Sequence, residues 1–323
     1  MVLRLLGRRA LHAAGILIAV ITLTFALIRL SPGDACGNPG DVRLPPAAHR
    51  ACLRRLHLDQ PLLAQFGFYL RDLAHFDLGQ SFATGEPVTA RLARALPNTI
   101  LLMGLSLIAS FALGIGVALL QSYRPQTGHP LAWLLLIAYA IPDFWAAQLA
   151  LLLFAYALPI FPPGGVASFG TEYLPLPAAI LDHLRHLWLP LLTLTAVSAA
   201  GVARFQHAAL SDVHHEDWIR TARAKGVPER AILLRHALRN ALGPVITLFG
   251  TSLPAVVAGA VFVEKVFSWP GVGSLAVDAV GTRDVPVVVA CVLLGAIAVV
   301  IGSVVADVLT AIVDPRLRQE ELR

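Results

Sequence analysis

The sequence predicts an all-α polytopic membrane protein with six transmembrane helices, and three observations carry that reading. The chain is 57% hydrophobic and only 14% charged, where a soluble domain has about 25% charged residues. It contains six apolar runs, most of them close to the roughly 20 residues that a helix needs to cross a bilayer. The arginines between the runs alternate from dense to sparse, as an excess of Lys/Arg on the cytoplasmic side requires.

The first run, Ala10 to Leu30, follows the basic start "MVLRLLGRRA". It is longer than the apolar core of about 7 to 15 residues in a cleaved signal, and the "SPGDAC" after it is a poor cleavage site. An uncleaved first helix with a cytoplasmic N-terminus is therefore expected. The remaining runs are Thr99 to Gln121, Leu131 to Ala155, Leu187 to Val202, Val245 to Phe262 and Val287 to Val305. The fourth is the shortest and is expected to extend in both directions.

An N-inside start puts the segments after spans two, four and six in the cytoplasm. The N-terminus carries Arg4, Arg8 and Arg9, the connection between spans four and five carries Arg204, Arg220, Arg223, Lys225, Arg230, Arg235 and Arg239, and the tail carries Arg316, Arg318 and Arg323. The outside loops Tyr156 to His186 and Glu264 to Pro286 hold only Arg185, Lys265 and Arg283. The first outside loop has seven arginines, but loops above about 60 residues translocate regardless of charge.

The expected organisation is a first helix over 1–30, a folded extracytoplasmic loop over 31–95, a five-helix core over 96–312 with a cytoplasmic loop at 212–243, and a tail over 313–323. The outer loop reads as folded because "CLRRLHLDQPLLAQFGFYLRDLAHFDLGQSF" alternates helical apolar spacing with turn residues. In an oxidising compartment Cys36 and Cys52 would close a loop of about 15 residues, worth roughly 3 kcal/mol in the chain-entropy model. Two unpaired thiols are the alternative. Cys291 lies in an apolar run and reads as packing.

Several functions are excluded or weakened. The two lysines, Lys225 and Lys265, each follow a residue other than glycine, so no GxxxxGK[ST] phosphate loop exists. If ATP drives this chain, another subunit binds it. His214 and His215 are adjacent rather than at i, i+4 spacing, which cannot place both rings on one helix face for a metal. No GxSxG, HExxH or paired intramembrane carboxylates suggest an enzyme. A secondary transporter would often show inverted repeats and paired broken helices; one proline-acid break, Pro142-Asp143, is visible.

The basic loop "DWIRTARAKGVPERAILLRHALRN", Asp217 to Asn240, reads as a helix ending near Lys225, a break, and a second helix starting at Pro228. Glycine suits the left-handed turn past a helix end and proline the first turn of the next. Ile219, Ala222, Ala231, Leu234 and Leu238 are expected to share a buried face, leaving the arginines outside. Basic loops also enforce topology or meet anionic lipid. A DNA-binding reading is disfavoured because both ends are tied to membrane helices.

Eight fragments in order, "LDQPLLAQFGFYLRDLAHFDLGQSF", "ARALPNTILL", "AIPDFWAAQLALLLFA", "HLWLPLLTL", "DWIRTARAKGV", "LRHALRNAL", "EKVFSWPGVGSL" and "DVLTAIVDPRLR", resemble the permease subunits of the dipeptide, oligopeptide and nickel branch of ABC importers. The resemblance implies a type I importer fold in the bacterial inner membrane. It also implies a second homologous permease, two cytoplasmic ATPases that bind ATP and Mg, and an extracytoplasmic solute-binding protein. No cofactor, metal or nucleic acid is expected in this chain, and lipid is expected around it. Peptides are the first expectation for the solute, with nickel, glutathione or haem as alternatives.

The resemblance assigns the basic loop to coupling with an ATPase, through Arg220, Thr221, Ala222, Arg223, Ala224, Lys225, Gly226, Val227 and Pro228. In the general coupling motif a glutamate stands at the position of Arg220 and a Leu-Pro at Leu238-Arg239, so a contact made by that glutamate is not carried over. For the pathway the expectations are Pro142, Asp143, Glu264 and Trp269. Asp143 replaces the small hydroxyl residue expected in "IPxFW", about 12 residues into a span and hence near mid-membrane at about 1.5 Å per residue. It either faces the translocation cavity, to meet the positive end of a peptide or another cationic solute, or pairs with a group of either permease. Glu264 is expected as an interfacial anchor or a gate contact, and Trp269-Pro270 as the start of a short interfacial helix.

Overall fold

The computed structural model describes residues 14–26, 50–51, 53–54 and 59–313. Cys36 and Cys52, and the tail from 314, lie outside these residues, while Cys291 is buried, as packing in an apolar run requires. The described chain is helical, with a single isolated bridge between Gln80 and Pro87. Helix α1 covers Ala14–Ala26, α2 Leu62–Ala74, α3 Val88–Tyr123, α4 Pro125–Ala140 and α5 Asp143–Ala157, whose last turns are a π-helix. Helix α6 covers Leu176–His214 and α7 Asp217–Ala224. The helical run over 229–241, α8, has a π-helical middle at Ile232–Ala237. Then follow α9 Gly243–Ala258, α10 Val261–Val266, α11 Val272–Gly281 and α12 Val285–Val313.

Four stretches are long and apolar enough to cross a membrane: α3, α6, the α9–α10 segment and Val285–Ala306 of α12. The bent pair α4–α5 makes a fifth if counted as one span. The described part of the first expected span is the apolar helix α1. The fourth span extends both ways from its apolar centre, reaching 39 residues in α6. Prolines inside α3, α6 and α9, at Pro97, Pro190 and Pro254, do not end them; apolar membrane helices tolerate the lost N–H where neighbours re-satisfy the freed carbonyl.

The expected third span is divided into two helices at the Pro142-Asp143 break. Ile141 and Pro142 both take extended conformations (ψ 130° and 140°), and the helices on either side meet at 103°. A residue before proline is pushed out of the α region, which adds an extended residue to the N–H that proline lacks.

Two compact units make up the chain: residues 1–94 with 275–296, and residues 95–274 with 297–323. The division falls inside α3, α11 and α12. In the first unit Phe25 of α1 meets Phe66 of α2 edge to face at 5.1 Å. In the second, one apolar cluster joins Leu102, Ala147, Leu187, Leu194, Val263, Phe267 and Trp269. Another, farther along α3 and α6, joins Ala118 and Leu210 to Ile219, Ile232, Leu233, Ala237 and Ala241 of the basic loop. Close helix contacts need glycine at several places, Gly114 and Gly250 among them. A Cβ on Gly114 would sit 2.6 Å from Val202 Cβ, and one on Gly250 2.5 Å from Ala306 Cα. Gly104 and Gly116 face no such crowding.

Candidate functional site

The basic loop forms a closed elbow. Helix α7 ends at Ala224, Lys225 caps it, and Gly226 turns left-handed at φ 76°. The Gly226 N–H donates to the Arg223 carbonyl (2.9 Å) and the Val227 N–H to the Ala222 carbonyl (3.2 Å), the double bond pattern of a Schellman motif. Its usual apolar contact is present, since Ala222 and Val227 pack on the same cluster. Pro228 stands one place before the second helix, in an extended conformation (φ −58°, ψ 140°), and its carbonyl accepts the N–H groups of Ala231 and Ile232.

The buried face is partly as the sequence suggests. Ile219 is fully buried and Ala222 half-buried. In α8, however, Ile232, Leu233, Ala237 and Ala241 are buried, while Leu234 is exposed and Ala231 and Leu238 are only half-buried. The π-helical turns take more than 3.6 residues each, so a 3.6-residue template started at the proline drifts away from the buried side.

The cations divide into two groups. Arg223 places Nε 3.0 Å and Nη2 2.5 Å from Glu229 Oε1, across the Gly226-Val227-Pro228 turn. These hydrogen bonds hold the Glu229 carboxyl below the usual carboxylate range. Arg220 Nη1 lies 3.4 Å from Asp217 Oδ1, both well exposed. Lys225, Arg230, Arg235 and Arg239 are exposed and make no ion pair among the described residues. Thr221 Oγ1 donates back to the Asp217 carbonyl, and Ala224 closes α7.

Glu264 and Trp269 meet in a second constellation. Glu264 is fully buried. Its Oε1 accepts Thr99 Oγ1 (3.0 Å) and its Oε2 the Ser274 N–H (3.0 Å). Thr99 Oγ1 in turn accepts the Val272 N–H at 2.7 Å. The first turn of α11 thus has its unpaired N–H groups satisfied by a carboxylate and a hydroxyl from elsewhere in the chain, at the positive end of the helix. No side chain fits at Gly271 or Gly259, where a Cβ would lie 2.4 and 2.6 Å from that carboxylate. Trp269 is buried, its Nε1 donating to the Asn98 carbonyl (3.0 Å), while Asn98 Nδ2 donates to the Pro270 carbonyl (3.0 Å).

Asp143 opens α5, where the first N–H groups and the helix dipole favour a carboxylate; its Oδ1 accepts the Phe144 N–H at 2.8 Å. Pro142 is exposed and Asp143 half-buried. The Phe144 and Phe262 rings, 6.1 Å apart, bring the start of α5 beside α10. No hydrogen bond or ion pair joins Asp143 to Glu264 among the described contacts.

Two carboxylates with no signal in the one-dimensional pattern hold loops. In the first unit, Asp284 is fully buried and accepts Ser81 Oγ, the Phe82 N–H (2.9 Å) and Arg91 Nη1 (3.0 Å). In the second, Asp182 accepts the Ser168 N–H (2.7 Å), Ser168 Oγ (2.6 Å) and Thr171 Oγ1 (2.7 Å), fastening the loop after α5 to α6. Their partners lie far away in sequence, which periodicity does not register.

Residues 92–319 match the family model described as binding-protein-dependent transport system inner membrane component. The oligopeptide transport system permease protein AppB of Bacillus subtilis is 37% identical over 96% of this chain and 98% of its own length. The di/tripeptide transport system permease protein DppB of Pseudomonas aeruginosa is 36% identical over 93% of this chain and 94% of its own. A putative peptide permease protein of Brucella ovis is 35% identical over 98% and 99%. The elbow, the apolar spans and these likenesses agree: the chain belongs to the family of inner-membrane permease components of binding-protein-dependent transport systems.

Proposed function

We propose that this chain is one transmembrane subunit of an ATP-driven importer that carries di- or oligopeptides across the inner membrane by alternating access. It pairs with a second, similar permease, takes solute from an extracytoplasmic binding protein, and is driven by two cytoplasmic ATPases that hold the ATP and Mg. Both of its termini lie in the cytoplasm.

The observation that carries this reading is the elbow. Its two short limbs share one apolar cluster with α3 and α6, so a push on the loop reaches two long helices through close-packed side chains, which transmit strain rather than absorb it. On the outside of the elbow, Lys225, Arg230, Arg235 and Arg239 form a cationic surface suited to an acidic protein groove. Peptide as solute rests on the relatives, which are named for oligopeptide and di/tripeptide transport. Asp143, half-buried at the broken span, is the carboxylate we assign to a peptide's amino terminus. Glu264 and Trp269 fix the wall of the pathway rather than touch the solute, because both are buried.

The test is reconstitution in proteoliposomes with and without the ATPase subunits and the binding protein. Peptide uptake that requires both, and ATP, is expected. A chain that takes up solute alone with ATP depleted overturns the proposal in favour of a secondary transporter.

A further inference from the structure

The first limb of the elbow, α7, is only eight residues long. A helix this short is marginal on its own, so what holds it decides whether the elbow is rigid. Its apolar anchorage is thin: Ile219 is the one fully buried side chain of the limb, with Ala222 half-buried, whereas α8 buries four residues in the same cluster. The Schellman bonds close the backbone of the turn, but they tie α7 to Gly226 and Val227, not to α8. Among the described residues, the polar side-chain tie between the two limbs, across the turn, is the pair formed by Arg223 and Glu229.

We infer that Arg223 is a positioning residue, which clamps α7 to α8 through Glu229 and sets the angle the elbow presents, while Lys225, Arg230, Arg235 and Arg239 meet the acidic partner. A guanidinium with two nitrogens already on one carboxylate has its charge balanced and its fork geometry used. It adds little to an electrostatic contact with a second acidic surface. The four other cations have no such partner among the described residues. A basic loop that reads in sequence as one positive patch is, in the fold, an internal clamp beside an open cationic face. This division of labour rests on the ATPase-coupling reading above.

The experiment is a charge-reversal cycle in the full complex of both permeases, ATPases and binding protein: Arg223→Glu, Glu229→Arg, and the two together. Partly exposed ion pairs contribute up to about 1 kcal/mol, or about a fivefold change in an equilibrium. Each single reversal is expected to lower peptide imported per ATP about two- to fivefold, and the double reversal to restore it. Lys225→Glu and Arg230→Glu are expected to weaken retention of the ATPases, with no rescue by Glu229→Arg.

Hydrogen exchange at the Gly226 and Val227 amides supplies a readout independent of transport, accelerated about two- to fivefold in the single variants and restored in the double. A double reversal as defective in import as Arg223→Glu places Arg223 on the partner and overturns the inference. So does a full exchange cycle with unchanged import per ATP in the single variants. A wild-type complex that imports without ATP overturns the coupling reading instead, and the exchange cycle still reports whether the clamp exists.

Discussion

Removing the Glu264 carboxylate should release the first turn of α11, and the structure fixes how much. Two donors are aimed at it at 3.0 Å, the Thr99 hydroxyl and the Ser274 N–H, in a site with no solvent access. Leaving a buried donor unpaired costs about 1–3 kcal/mol, so Glu264→Ala should destabilise this region by about 2–6 kcal/mol, plus the loss of packing. Glu264→Gln keeps the volume. Its amide oxygen can accept from Ser274 only if its NH2 faces Thr99, whose oxygen already accepts the Val272 N–H. The Thr99 proton then has no acceptor, and about one hydrogen bond, roughly 1 kcal/mol, is lost. Part of that is offset because a buried charge no longer has to be desolvated.

The assay is hydrogen exchange at the amides of Val272, Gly273 and Ser274 in the purified complex, where each 1.4 kcal/mol is about tenfold in opening. Glu264→Gln should accelerate exchange by about tenfold or less, and Glu264→Ala by about thirtyfold or more. Equal effects of Gln and Ala would mean that the carboxylate holds no specific donors. An Ala variant unchanged within about twofold would mean that α11 is capped by other groups.

Two further outcomes can be checked. At Gly226 a Cβ meets nothing within 4 Å, so the cost of substitution is conformational: Gly226→Ala pays about 1–2 kcal/mol for the left-handed turn, Gly226→Val more and Gly226→Asn least. Import per ATP should fall in the order Asn, Ala, Val, and equal coupling in Asn and Val variants would refute the elbow as the coupling element. Asp143→Asn should raise KM for peptides with a free amino terminus about tenfold and leave amino-blocked peptides unchanged; identical kinetics for both in a normally folded variant would exclude the contact.

Much of the fold is readable in one dimension because the bilayer imposes it. Apolar length gives the spans and arginine density gives their expected sides, since both follow from the transfer energies of single residues. The elbow was readable for a similar reason, because Gly226 and Pro228 have strong local preferences that need no distant partner. What periodicity missed has one common cause. Asp284 with Ser81 and Arg91, Asp182 with Ser168 and Thr171, and Glu264 with Thr99 are each a carboxylate, buried in the first and third cases and half-buried in the second, whose partners stand elsewhere in the chain.

The sequence by itself determined that this chain is a helical membrane protein with a basic, glycine-broken loop, because composition and local backbone preference suffice for that, and its likeness to known permeases supplied the family. Only the tertiary structure decided that the helices on either side of Pro142 meet at 103° and that Glu264 accepts an N–H of the first turn of α11. It alone showed that Arg223 is held by Glu229 while Lys225, Arg230, Arg235 and Arg239 make no ion pair among the described residues. Those outcomes depend on which donors and acceptors folding brings within hydrogen-bond distance, and on how π-helical turns rotate α8 against the cluster it packs on. Neither is a property of a residue and its near neighbours alone.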